Sequence, residues 1–139
     1  MAGNKSDGDA AIRLDFPGGW KGDTNNAFTK AGRNAEQEKF FDFTSKLFQW
    51  RKTNEAVHSG KTTHYIPEDN VYVYFRYTNS KTVMVVINNS EKNQTIKKTR
   101  FQENIQNFSA GKDVLTNKLV DLKSDIAIES QSALILELQ

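Results

Sequence analysis

The chain contains no cysteine, so disulfides, thiolate nucleophiles and cysteine-ligated zinc are all excluded. Histidine is almost as scarce. His58 and His64 are the only two, six apart and in no zincin or triad arrangement, and they read as ordinary surface or loop positions. No apolar run approaches the roughly 18 residues of a membrane span, and no signal peptide is read at the start. An excess of one charge sign is missing too. The 19 Lys and Arg against 17 Asp and Glu leave a net charge of +2, which gives no electrostatic ground for a nucleic-acid or membrane partner. Neither GxGxxG nor GxxxxGK[ST] occurs, so there is no nucleotide fingerprint, and no cofactor or metal is expected.

What the 139 residues do contain is 37% hydrophobic and 26% charged side chains, the balance of one folded domain. The distribution is uneven. Six of the eight glycines lie in the first 32 residues, and all four tyrosines fall between Tyr65 and Tyr77. Three zones follow: an irregular arm to about residue 33, one helix, and a β-rich remainder.

The spacing predicts the helix over residues 34–54. Asn34 and Gln37 have capping-box spacing, and no Gly or Pro interrupts Ala35–Thr53. Phe40, Phe43, Leu47 and Trp50 recur at helical spacing, with Phe41 and Phe48 in a second row. These six cover about half the circumference. Arg51 and Lys52 sit where cations suit the carbonyl end of the helix dipole.

From Lys61 the period changes to two. Val71, Val73, Phe75 and Tyr77 alternate with Tyr72, Tyr74 and Arg76, and Val83, Val85 and Ile87 alternate with Met84 and Val86. Asn79-Ser80 between them reads as a hairpin turn. Weaker strands are expected at 94–98, 113–116, 119–122 and 126–129, with Ser132–Leu138 last. Arg100–Phe108 breaks the pattern as a helical turn or a long crossover. The expected fold is mainly β: an antiparallel β-sandwich preceded by an irregular arm and one long amphipathic α-helix.

Asp15-Phe16-Pro17-Gly18-Gly19-Trp20 followed by Gly22-Asp23 is the most unusual stretch. Adjacent glycines permit positive φ, and Trp20 offers a flat face. A tight loop with a buried Trp and a sugar-stacking or phosphate-cradling loop both fit. Asp7, Asp9 and Asp15 lack EF-hand spacing and read as solvated turn residues. Tyr72 and Tyr74 on one strand face fit either packing or a binding platform.

The order of these features resembles a known family. Asp9-x-x-x-Arg13, Asp15-Phe-Pro-Gly-Gly-Trp20, Gly22-Asp23 and Asn26-Ala27-Phe28 are similar to the segment after the last barrel strand of α-amylase-family enzymes. The branch is the neopullulanase and cyclomaltodextrinase branch of glycoside hydrolase family 13. The stretch Leu47-Phe48-Gln49-Trp50-Arg51-Lys52 running to Gly60 resembles that family's final barrel helix, which leads into a C-terminal β-sandwich. The resemblance covers nearly the whole chain.

It implies that residues 1–56 are a remnant of a (β/α)8 barrel (loop 1–33, helix 34–54) and that 57–139 are the C-terminal sandwich. The family's nucleophilic Asp, acid/base Glu and third Asp lie on earlier strands, so no catalytic residue carries over to this chain. The implied parent is a retaining α-glucan hydrolase, periplasmic or secreted, and this portion of it is non-catalytic. By the same resemblance Trp20 stacks on a sugar ring and Arg13 orients the loop or a neighbouring carboxylate. A carbohydrate-binding module holding α-glucan through exposed aromatics is the alternative. The implied partners are α-glucan within the parent, the missing barrel, and a second copy in a homodimer through helix 34–54.

Overall fold

The structure, a computed structural model, describes Ser6, Gly8, Asp9, Arg13 and residues 16–139. Asp7 and Asp15 lie outside the described residues. The chain forms two compact units, Met1–Thr44 and Ser45–Gln139, and the boundary falls inside helix α1 (Ala35–Thr53).

Helix α1 begins as its sequence dictates. The Gln37 backbone N–H donates to Asn34 Oδ1 and the Asn34 N–H to Gln37 Oε1, both at 2.9 Å, which completes the reciprocal cap. Glu36 and Glu38 occupy the first turn, and Arg51 and Lys52 the last. A short second helix, α2 (Glu55–His58), follows directly. Gly60 then brings the chain so close to the Ala56 and Tyr77 carbonyls that any Cβ there would collide with backbone oxygen.

Among the described residues eight strands make two antiparallel sheets. The larger has the order β1 (Lys61–His64), β2 (Val71–Tyr77), β3 (Thr82–Asn88), β8 (Ser132–Leu138), β5 (Ala110–Asp113), β6 (Leu119–Asp121); the smaller pairs β4 (Gln94–Ile96) with β7 (Ile126–Ile128). The β2–β3 turn is closed by a hydrogen bond from the Thr78 N–H to the Lys81 carbonyl. The inner faces alternate as the period-two pattern requires, with Val71, Val73 and Phe75 from β2 and Met84 and Val86 from β3. They meet Ile96, Ile126 and Ile128 of the small sheet.

Two readings of the sequence are resolved or corrected. The stretch at Arg100–Phe108 is helical: a 3₁₀ turn at Lys98–Phe101 runs into α3 (Gln102–Ile105), which plugs the core with Phe101 and Ile105. The strand expected at 113–116 lies instead at Ala110–Asp113. Asp113 ends it, because its carboxylate accepts hydrogen bonds from the Leu115 and Thr116 N–H groups and the Thr116 hydroxyl. Asn117, at φ 61°, completes the turn.

Tyr65, just after β1, fastens α3 to this core. Its ring packs edge-on to Phe101 and Phe75 at 4.7 and 5.9 Å. Its hydroxyl donates to Glu103 Oε1 at 2.6 Å, with Asn104 Oδ1 2.7 Å away. Burial, and then the hydrogen bond to Glu103, push its pKa above the ordinary tyrosine value. The fold therefore prefers the neutral phenol. The associated stability is complete below the unfolded pKa of about 10 and is lost as pH rises towards the folded value. Tyr65→Phe is expected to cost about 1 kcal/mol at neutral pH and to flatten the fall in stability above about pH 10. Urea denaturation of both proteins across pH 7–12 measures this, and equally steep alkaline limbs would refute the assignment.

Candidate functional site

The glycine loop is built on positive backbone dihedrals. Gly18, Gly19 and Gly22 have φ of 102°, 108° and 99°. At Gly18 an added Cβ would also lie 2.7 Å from Asn26 Oδ1, so the position excludes other residues on two counts. Asn26 organises the return of the loop: its side-chain oxygen accepts the Phe28 N–H at 2.9 Å, and the Ala27 N–H donates to the Pro17 carbonyl at 2.9 Å. Asp23 Oδ2 in turn accepts the Trp20 N–H at 3.1 Å.

Trp20 is not a buried loop anchor, since it is 76% exposed. Phe16 and Phe28, also exposed, lie against each other with ring centroids 5.3 Å apart. Arg13 is exposed and makes no hydrogen bond or ion pair with a described residue. The loop's clamp is Arg33, which sequence reasoning did not single out. Its Nε donates to Glu38 Oε2 at 2.5 Å, its Nη1 to the Ala27 carbonyl at 2.6 Å, and its guanidinium lies over the Phe41 ring at 3.8 Å. That hydrogen bond holds the Glu38 carboxyl below the usual carboxylate range.

A second surface lies on the face of the large sheet that points away from the sandwich core. Val83 and Val85 of β3 form a small second core there with Ala56 of α2, against which Trp50, Tyr74 and Ile135 pack. Its polar centre is Glu137. One oxygen, Oε1, accepts Trp50 Nε1–H at 2.7 Å and Asn54 Nδ2–H at 2.8 Å, fastening the tail of α1 to the last strand. Lys46 adds a bond to the Leu115 carbonyl, and Arg76 caps α2 by donating to the Ala56 and Val57 carbonyls.

Asn54 is 2% exposed, so its amide and the Trp50 indole would both be left without an acceptor if Glu137 were truncated. Glu137→Ala is expected to cost about 2–3 kcal/mol, and Glu137→Gln, which keeps an acceptor oxygen, clearly less. Urea midpoints for the two variants measure this; equal losses would mean that packing rather than hydrogen bonding is at stake.

Tyr72 and Tyr74 lie 5.5 Å apart with a 33° tilt, and both are half-buried. They do not form a coplanar exposed platform. Burial raises the Tyr74 pKa, as the small core against its ring requires. His58 ends α2 and His64 lies on β1, both exposed, with His64 edge-on to Tyr72 at 6.4 Å. Among the described residues no group of three or more His, Asp or Glu is placed to hold a metal ion. In the cleft between β2 and β4, Glu68 is paired with Arg100 at 2.9 Å.

The family comparison falls on the sandwich. The family model described as the cyclo-malto-dextrinase C-terminal domain matches residues 62–137, from β1 through β8. Among solved structures, a variant of AmyP in complex with maltotriose superposes with a TM-score of 0.64 at 18% identity, over 76% of this chain and 22% of that one. The α-amylase from Geobacillus thermoleovorans, complexed with acarbose, gives 0.60 at 18% identity, over 73% and 23%. An Anoxybacillus α-amylase gives 0.60 at 22% identity, over 72% and 22%. At these identities the likeness is one of fold. The chain spans only 22–23% of the length of these structures.

Proposed function

The chain belongs to the cyclo-malto-dextrinase C-terminal domain family, and from that premise we propose that it is the non-catalytic C-terminal portion of an α-amylase-family hydrolase acting on α-glucans. The sandwich then serves to stabilise the catalytic barrel. The observation that carries this reading is where the family match lies. It covers the sandwich and stops there, and the part of this chain that superposes on the amylases spans 22–23% of their length.

In this reading residues 1–56 are the end of the barrel and 57–139 the sandwich. A chain beginning at Val57 lacks Trp50 and Asn54. It is expected to melt cooperatively, with a midpoint below that of Glu137→Ala because it also loses Ala56 and the cover over Val83 and Val85; the absence of any cooperative transition would assign α1 to the same core. The two-carboxylate reaction of the parent needs a nucleophile and an acid flanking one bond, and the resemblance places both on segments outside these residues. Incubation of this chain with starch, pullulan and cyclodextrins is therefore expected to release no reducing ends above buffer. Turnover abolished by changing one Asp or Glu here would overturn the reading. In the parent, Trp20 stacks on a sugar ring, which its exposed indole allows, and Arg13 orients the loop or a neighbouring carboxylate. Trp20→Ala in the parent is then expected to raise KM for long glucans with little change in melting temperature.

The helix supports a partner. Phe40, Phe41, Phe43 and Phe48 are 71, 47, 49 and 64% exposed, an apolar stripe that a soluble chain rarely leaves in water. In the parent the barrel covers it; in this chain alone a second copy does, as a symmetric dimer. Phe48 tests this more cleanly than Phe41, whose ring already carries Arg33. Phe48→Glu is expected to convert a dimer into a monomer on light scattering coupled to size exclusion, with the β-domain melt unchanged. A wild-type chain that stays monomeric at high concentration would rule the dimer out.

A further inference from the structure

The outer face of the large sheet is covered at one end and open at the other. Strand register places three rows across β2, β3 and β8: Arg76–Val83–Glu137, Tyr74–Val85–Ile135 and Tyr72–Ile87–Ala133. The first row is covered. Arg76 is bonded to α2, Glu137 to the tail of α1, and Val83 is 1% exposed. Burial then fades along the strands. Val85 is 7% exposed and Ile87, two residues on, is 39% exposed, with Ala133 beside it also exposed.

Rows on one face are about 6.8 Å apart, so the open row lies roughly 14 Å from the covered one. Packed helices sit about 8–10 Å apart. The tail of α1 and the short α2 are thus one helix width away from the row, and a single further helix alongside them has room to fill it.

We infer that the Tyr72–Ile87–Ala133 row seats a second helix of the parent's catalytic barrel, the neighbour of α1. The inference rests on the barrel reading above. Two observations choose this occupant. The open row is continuous with an interface that α1 already makes through Trp50 and Asn54, and helices of a (β/α)8 barrel run side by side. The matched amylases are also long enough to supply such a neighbour, since this chain spans only 22–23% of them.

The test compares Ile87→Lys in the full-length parent and in the 139-residue chain, with Leu119→Lys, at a 66% exposed position on the far edge strand, as control. In the short chain Ile87→Lys is expected to leave the melting temperature within about 1 °C, too little to register as a lost core contact. In the parent it is expected to split the calorimetric transition, with the sandwich melting about 4 °C or more lower. Ala133→Glu, on the adjacent strand, is expected to do the same if the lysine variant fails to fold. A parent whose transition responds no differently to Ile87→Lys or Ala133→Glu than to Leu119→Lys overturns this inference alone. Dissociation of a short-chain dimer by Ile87→Lys overturns it in favour of a second copy. A coding region with no barrel upstream of Met1 removes the barrel reading itself, and this inference with it.

Discussion

Strand β3 is buried on both faces, and the rest of the molecule is arranged around that fact. Val83, Met84, Val85 and Val86 are each 7% exposed or less in unbroken succession. Met84 and Val86 face the sandwich core; Val83 and Val85 face the small core under α2 and the tail of α1. A strand can be apolar on both sides only if both sides are covered. The small β4–β7 sheet with α3 covers one side, and helical segments cover the other. Without the second cover, Val83 and Val85 would face water, at a cost of about 1.5–3 kcal/mol each if fully exposed.

This requirement explains the polar chemistry at the junction. Hydrophobic contact alone does not fix how a helix lies on a sheet, because it has no direction. Glu137 supplies direction by holding Trp50 and Asn54 on one oxygen, and Arg76 does so for α2 through two carbonyls. Gly60 allows the close approach that turns the chain from α2 into β1. The sandwich and the end of α1 are joined by matched donors and acceptors as well as by buried carbon. The stabilising role proposed for the sandwich calls for a junction of that kind.

Much of this was legible in the residues themselves. The capping box of α1, the β2–β3 hairpin and the order of the elements all follow from local spacing. Local propensity points to the wrong residues for β5, since Val114-Leu115-Thr116 has the higher strand propensity and Ala110-Gly111-Lys112 has little. Pairing with β8 overrides propensity there: the close approach of Gly111 to Leu136 needs a residue without a side chain. The double burial of β3 was written in the run Val83–Ile87, five apolar residues without a polar break, but an alternating reading conceals it. The Glu137 junction carried no local signal, since its partners are separated by 83 and 87 positions. The exposure of Trp20 was likewise unreadable, because a tryptophan between glycines is written the same way whether it faces in or out.

The position of β8 has a consequence for how the molecule comes into being. Strand β8 is not an edge strand; it lies between β3 and β5 and, among the described residues, is the only link between the β1–β2–β3 and β5–β6 halves of the large sheet. During synthesis the early hairpin can pair as it emerges, but its open side has no partner until Ser132–Leu138 has cleared the ribosome. For that interval β3 presents an unpaired apolar edge to the cytosolic or translocation machinery, the kind of surface that holding chaperones recognise. Closure of the large sheet therefore waits on Ser132–Leu138, and a chain stopped before that strand would be unable to join its two halves.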